Sequence, residues 1–413
     1  MSLIAAAMMT TTFTACSSDD DNNTTDPVTP TGKTDAFAVA SQAITENYLS
    51  NVVYPIYTNL ANTTSELYDA LNSNLSKMRA GTLTQSDINN ACDKFLEARS
   101  WWECSEAFLY GPATTFGIDP HIDTWPLDLD GLAVALSNSA MIENLEGEDG
   151  IAYAGAKLGQ ELLGFHGIEF ILFRDGDNRT LAAVVANETD EAFAGYTVTG
   201  EMEMMYAVAV AGDLRDRCYQ LEVAWEGDDA SKAHRDRVEE CEYEVEIADG
   251  MCYGENMLAA TKSGSTFSTW NKVLTTIFSG GCSNICNEVA NSKMGNAYTG
   301  EDVSYIESPY SKRSFVDFYD NILSIRYSLY GTYTSQKAAE ASLITLLKED
   351  DPELCSRLED ALEDALKSLE TCMASGTAFV DNYTASWVGN AIDEINELDA
   401  VLQECATWAS KLQ

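Results

Sequence analysis

Histidine occurs only three times in 413 residues and proline eight times, while Lys and Arg together number 24 against 66 Asp and Glu. Each scarcity excludes something. Neither HExxH nor HxxEH is present, so the zinc-peptidase signatures that set two histidines and a base on one helix are missing, and catalysis of that kind would have to recruit ligands from distant segments. Cys-x-x-Cys is absent too, which removes the zinc-ribbon and thioredoxin readings. No stretch of eighteen consecutive apolar residues offers a membrane-spanning helix. The formal charge of −42 repels nucleic-acid phosphates and anionic lipid surfaces and attracts cations, although most acidic residues need do no more than keep a helical protein soluble. So few prolines, mostly at breaks between periodic segments, fit a mainly helical body.

The chain opens with "MSLIAAAMMTTTFTAC", an uncharged apolar stretch ending at Cys16. It is similar to a bacterial lipoprotein signal peptide over residues 1–15, with lipid on the Cys16 sulfur, and departs from that pattern in having no basic residue at its start. Residues 16–35 are polar, acidic and contain Pro27 and Pro30, a composition that cannot bury enough apolar surface to fold and reads as a flexible tether. The expectation is an outer-membrane lipoprotein, on the periplasmic or cell-surface face, held to the membrane by lipid alone. Ten cysteines remain besides Cys16, enough for disulfides in an oxidising compartment; Cys282 and Cys286 lie one helical turn apart, and Cys405 sits on an apolar stripe that suits a buried thiol.

Helical periodicity is clearest at the C-terminal end. Ile395, Leu398, Leu402, Cys405, Ala409 and Leu412 alternate steps of three and four, and Leu354 to Leu369 repeats the pattern behind Asp351 as cap and Pro352 in the first turn. With "TFSTWNKVLTTIFSGGCSNICNEVANSKM" and "SFVDFYDNILSIRYSLYG" they make four helices, a bundle over 266–413. Upstream, segments near 36–78, 86–110, 127–145, 150–173 and 199–225 read as helices, with Pro55 breaking the first. "AGYTVTGE" is the one short strand candidate, and 226–262 fits no pattern.

The residues best placed for chemistry lie in "GQELLGFHGIEF". His166 and Glu169, three apart, share a helix face and could converge on one ion, an imidazole and a carboxylate suiting iron, zinc or manganese. Gly155, Gly159, Gly164 and Gly167 each cost helix stability unless a close approach or a break requires them. Arg99, Glu103, Glu106 and Tyr110 fall on one face of a single expected helix, either a charged cluster held inward or an exposed ion-paired face. Asp317 and Asn321 are the best polar pair of the second half. His121 is a candidate third nitrogen ligand, and His234, in "SKAHRDRVEE", reads as an exposed helix position.

Gly164, His166 and Glu169 form the GxHxxE signature of the imelysin-like proteins, and the chain resembles that family on both sides of it. "ARSWWECSEAFLYGP" and "IDTWPLDLDGL" match with Arg99, Glu106, Gly111, Asp123, Trp125 and Pro126. The segment around "ESPYSKRSF" is similar to the family's Ser-Asp-Asn-Thr region, here Ser311, Lys312, Arg313 and Ser314, so that two inner positions have become basic. The resemblance, spanning roughly 36–412, implies an all-α protein of two related four-helix bundles, 36–265 and 266–413, with a functional site between them and a role in bacterial iron uptake. Under it, His166, Glu169 and Glu106 are the expected metal donors, with Arg99, Glu103, Asp123, Gly164, Trp125, Ser311, Asp317 and Asn321 around them. Iron is the expected ion, with zinc or copper as alternatives; a metal ion or chelated metal is the expected ligand, with envelope transport proteins as partners. The family was first grouped with metallopeptidases, so a zinc peptidase using His166 and Glu169 is the alternative activity. A metal-free interaction scaffold is the third, favoured if His166 and Glu169 bond each other and Arg99 with no vacant coordination position.

Overall fold

The computed structural model describes residues 32–413. The signal-peptide residues, Cys16 and most of the expected tether lie outside them, and helix α1 (Gly32–Tyr48) begins inside the tether stretch. A π-helical turn, Leu49–Val53, joins α1 to α2 (Tyr54–Arg79). Pro55 follows directly on this π turn inside a helix that stays helical throughout, so it marks a change of winding and not the break that its sequence position suggested. Helix α3 (Gln85–Glu103) starts at a capping box in which Thr84 and Asp87 bond each other's backbone.

Two expected long helices are divided. The 127–145 segment splits into Leu129–Ser137 and Ser139–Asn144 because the Asn138 side chain accepts from Ala140 and Met141 N–H and starts a new helix. The 150–173 segment becomes α4 (Gly147–Lys157), a single tight turn at Gln160–Leu162, and α5 (Gly164–Leu172). α5 ends in a hairpin of β1 (Phe173–Arg174) and β2 (Asp177–Asn178), joined by Asp175 and Gly176, both at positive φ. The one two-stranded pairing among the described residues was thus placed wrongly by sequence: "AGYTVTGE" contributes one isolated bridge, Thr199 to Asn187, while Asp-Gly supplies the turn that a hairpin needs. α6 (Gly200–Glu226) runs unbroken through the middle of the fold and packs on α2, α4 and α5. The unassigned 226–262 region holds α7 (Lys232–Glu240) and a short helix, Tyr253–Leu258.

The C-terminal half has the four expected helices and, between the second and third, a shorter one at Leu343–Asp350 that was not expected. Residues 270–293 form one composite rod of alternating α and π turns: Trp270–Thr275, Thr276–Ser283, Asn284–Asn287 and Glu288–Lys293. It is followed by α8 (Ser314–Tyr330), α9 (Pro352–Met373) and α10 (Ser386–Ala409), with α9 and α10 packed along their length. Cys405, Leu402, Leu398 and Ile395 are buried in that seam. The apolar core runs without interruption from Ile44 to Ala409, and α8 packs directly on α3. All ten cysteines of the described residues are free thiols. No helix among the described residues is long and apolar enough to cross a membrane.

Candidate functional site

Helix α3 ends at Glu103, and the chain turns instead of continuing to Tyr110. The Ser105 hydroxyl donates to the Trp102 carbonyl at 2.7 Å, and a short 3-10 turn, Glu106–Phe108, follows. The expected single face of Arg99, Glu103, Glu106 and Tyr110 is accordingly broken: the Tyr110 hydroxyl bonds the Tyr48 hydroxyl at 2.7 Å, whereas Arg99, Glu103 and Glu106 are buried together.

α5 is brought to this point by its glycines. Gly164 has φ +69°, and a Cβ there would stand 2.0 Å from the Ile122 carbonyl oxygen; a Cβ on Gly167 would stand 2.1 Å from the Tyr206 hydroxyl. That hydroxyl donates to the Leu162 carbonyl at 2.7 Å, so the gap at Gly167 is held open by a fixed neighbour. Both glycines let α5 settle against the 119–122 turn and α6, and His166 arrives beside Asp123.

Arg99 is the hub. Its guanidinium, 1% exposed, donates through Nη1 to Asp123 Oδ1 and through Nη2 to Glu307 Oε1 at 2.6 Å; Nη2 also lies 2.5 Å from Glu103 Oε1, and Nε 3.7 Å from Asp317 Oδ2. Asp123 also accepts from Trp102 Nε1 at 2.8 Å. Burial works to raise its carboxyl, but Arg99 and His166 outweigh burial and hold it well below the usual carboxylate range. Asn321 Nδ2 donates to Glu103 Oε2 at 2.5 Å; Asp317 accepts from Ser308 Oγ at 2.6 Å and from Arg313 Nε at 2.7 Å.

The two nitrogens of His166 face different partners. Nε2 lies 3.1 Å from Asp123 Oδ1 and 3.7 Å from Glu307 Oε1, out of line for a hydrogen bond, and is a buried atom with no hydrogen-bond partner. Nδ1 looks toward Glu169 Oε2 at 3.8 Å, and Glu169 Oε1 is held by Ser311 through its N–H (2.8 Å) and hydroxyl (2.6 Å). Burial alone would lower the imidazole pKa; the negative charge of Asp123 beside it, helped by Glu169, overcomes this and pushes it up to about 9. The Trp125 ring lies 4.6 Å from the imidazole, centroid to centroid.

Lys293, at the end of the composite rod, is the second buried cation. Its Nζ lies 3.2 Å from Glu307 Oε2, 3.5 Å from Glu106 Oε1 and 3.8 Å from Glu103 Oε2. Burial pushes the Glu103 carboxyl up to about 8 and Glu106 well above its usual range, against the pull of these cations. Asp119, raised by burial and then by Asp123, reaches about 7. Carboxylates outnumber the cations here, and the excess faces a cavity of about 200 Å³ whose wall includes Glu106, Asp119, Asp123, Trp125, Glu288 and Glu307.

Two sets of donor atoms lie within 4.8 Å of one another: Asp123, His166 and Glu307, and Glu103, Glu106 and Asp123. His166, Glu169 and Glu106 do not meet at one point, because Glu169 stands on the Nδ1 side of the ring while Glu106 groups with Glu103 and Asp123. Asp123 and Trp125 lie against His166, Glu103, Asp317 and Asn321 gather with them around Arg99, and Ser311 reaches the histidine through Glu169. Of the two residues that depart from the family pattern, Lys312 pairs with Asp381 at the surface, while Arg313 neutralises Asp317 and Asp320 behind Arg99. His121 turns away, its Nδ1 3.1 Å from Asp213 Oδ2. His234 corrects the sequence reading: it is buried, stacked on Tyr219 at 3.9 Å and bonded to Glu222, because α7 folds back on α6 instead of projecting into solvent.

Sequence reasoning missed Glu307, Lys293, Asp119 and Glu288. Lys293 carried a readable signal, since it is the only basic residue between Lys272 and Lys312 in a strongly acidic chain. Glu307 stands four residues before Ser311, inside a segment already singled out.

An all-helical body enclosing a buried histidine, an arginine hub and an excess of carboxylates defines a narrow class of protein. The chain belongs to the imelysin family, whose model matches residues 53–402. This bears out the resemblance carried by GxHxxE and the all-α expectation. It is 24% identical over 373 residues to iron-regulated protein A of Synechococcus elongatus, covering 89% of this chain and 87% of the relative. Among solved structures, one from Parabacteroides distasonis, described as an iron-regulated protein A precursor, superposes with TM-score 0.71 at 24% identity over 90% of this chain and 95% of that one. An imelysin-like protein from Psychrobacter arcticum superposes with TM-score 0.57 at 14% identity over 91% and 97%.

Proposed function

We propose that this chain is an iron-handling protein of the cell envelope, tethered through lipid on Cys16, in which Asp123, His166 and Glu307 take a divalent cation as cargo. Iron is the principal ion and zinc or copper its competitors. The observation that carries this reading is His166 Nε2: a buried nitrogen with no hydrogen bond, flanked by two carboxylate oxygens in a cluster where acid exceeds base, from which an entering cation displaces the proton that these carboxylates favour. Carboxylate oxygens have two lone-pair directions each, so Asp123 and Glu307 can serve a cation while Arg99 keeps its bonds. Imidazole with two carboxylates suits iron or zinc better than calcium or magnesium. Glu169, fixed by Ser311, stands 3.8 Å from Nδ1 on the far side of the ring, the side on which a metal-binding histidine usually finds a carboxylate partner. A relative named for regulation by iron supports the choice of ion.

The cavity's size favours an ion over a polypeptide: about 200 Å³ is below the roughly 300–1,000 Å³ of sites that enclose even a small organic ligand. The scaffold reading asked for His166 and Glu169 bonded to each other and to Arg99, whereas Glu169 bonds Ser311 and Nε2 has no hydrogen bond. The test is elemental analysis and anaerobic calorimetric titration of residues 36–413 with Fe²⁺, Zn²⁺ and Cu²⁺. About one ion per chain is expected, with affinity lowered at least 100-fold in His166→Ala and Asp123→Asn and about tenfold in Glu169→Gln. Equal binding by all four proteins would remove the metal reading.

A further inference from the structure

The cavity beside His166 ends on Lys293, and that placement poses a problem of access. Asp119 and Glu288 line its wall, Glu106 and Glu307 lie deeper, and Lys293 Nζ sits among the inner carboxylates at 3.2 to 3.8 Å. A cation approaching from this side meets an ammonium already in its place. Arg99 is held by short contacts to three separate carboxylates, but Lys293 makes only one contact as short as a hydrogen bond requires with good strength, to Glu307; its other two are longer ion pairs. An ammonium on a flexible four-carbon stem can withdraw where a bidentate guanidinium cannot. Second and independent of the acid cluster, the buried His166 Nε2, which faces Asp123 and Glu307, has no hydrogen bond, so the inner groups are incompletely satisfied with the lysine in place.

We propose that Lys293 is an internal stand-in cation, displaced when a divalent ion enters through the acidic vestibule formed by Asp119 and Glu288. This rests on the metal-binding reading above and adds to it an entry route and the residue that sets how readily the site loads. The lysine keeps the carboxylates from repelling one another before loading; an arriving divalent cation supplies the same compensation with more charge, and Nζ swings toward Glu288 and Asp119, which receive it. Fast entry then depends on the vestibule carboxylates, and final affinity on how firmly Lys293 is held.

The experiment uses residues 36–413 and Fe²⁺ under anaerobic conditions, with affinity from calorimetry and association from the fluorescence of Trp125, which lies against His166. Lys293→Met should raise Fe²⁺ affinity at least tenfold, and Lys293→Arg, which holds carboxylates in a fixed fork, should lower it at least fivefold. Glu288→Gln and Asp119→Asn should each slow association three- to tenfold, flatten its salt dependence and leave dissociation within twofold. Wild-type binding with affinity unchanged in both lysine variants overturns the displacement. Should Lys293→Met not fold, Lys293→Arg and the two vestibule variants decide it alone. If wild type binds nothing while Lys293→Met binds Fe²⁺, the lysine is a permanent counter-ion, which overturns displacement but keeps the donor set. If no variant binds any ion, the metal reading itself fails.

Discussion

Gly164→Ala separates two costs that a glycine can hide. The residue sits at φ +69°, where any Cβ is strained, and its Cβ would also stand 2.0 Å from the Ile122 carbonyl oxygen. Gly81 provides the control: φ is +67°, with nothing within 4 Å of its Cβ position. Gly81→Ala therefore carries the conformational cost alone, about 1 kcal/mol. At Gly164 the backbone of the 119–122 turn must also retreat by more than an ångström, a small-to-large strain of about 1–3 kcal/mol, so the total is about 3 kcal/mol. With a urea slope of about 3 kcal/mol/M, expected for a chain of this size, the unfolding midpoint falls by about 1 M for Gly164→Ala and about 0.3 M for Gly81→Ala. Far-UV circular dichroism against urea measures both. Because the turn that must move leads into Asp123, Gly164→Ala should also weaken Fe²⁺ binding at least tenfold, whereas Gly81→Ala should leave it unchanged. Equal midpoints for the two variants would refute the close approach as the reason for this glycine.

Arg99→Met removes the one group that touches Glu103, Asp123 and Glu307 together and should destabilise by about 3–5 kcal/mol, the cost of stranding buried charge; a loss under 1 kcal/mol by urea titration would show that the carboxylates are neutral in the folded chain. Glu226 gives a pH test away from the site. Burial, then Glu222, raises its carboxyl from 4.5 to about 8, so its contribution is fully present below pH 4.5 and lost as pH climbs to about 8. Glu226→Gln should match wild type at pH 4, exceed it by about 2 kcal/mol at pH 9, and flatten the stability curve between; parallel curves would contradict the shift. Ser311→Ala deletes one of two hydrogen bonds to Glu169 and keeps the backbone one, so stability should fall by about 1–2 kcal/mol, read as a shift in urea midpoint.

What the sequence showed and hid follows from range. α9 and α10 were readable because periodicity, the Asp351 cap and Pro352 all act within a few residues. His166 and Glu169 were readable because three residues of spacing on a helix is a geometric statement. Which nitrogen meets which carboxylate was not, since Glu307 and Lys293 reach the cluster from loops and π turns more than a hundred residues away. α3 was extended too far because Glu106 and Tyr110 keep helical spacing from Glu103, and only the Ser105 to Trp102 bond reveals the turn. His234 was misjudged from its charged neighbours, though α7 buries it against α6. The Asp175-Gly176 hairpin carried a local signal in its turn and none in its two-residue strands, which are too short to alternate.

The π turns of the composite rod can be understood as a matter of reading frame. Each turn closed from i to i+5 holds one residue more than an α turn, and every residue after it is carried around the axis by about 100°. Lys293 closes the second such segment, and Gly281, in the first, lies so close to the Ala107 carbonyl that a Cβ would be 2.0 Å away. The direction in which the lysine points is therefore set by a surplus of residues upstream. Deleting a single residue within Thr276–Ser283 would return that stretch to α geometry and turn Lys293 out of the cluster. A one-codon deletion in an uncharged segment would then change the charge balance of the site without altering any charged residue.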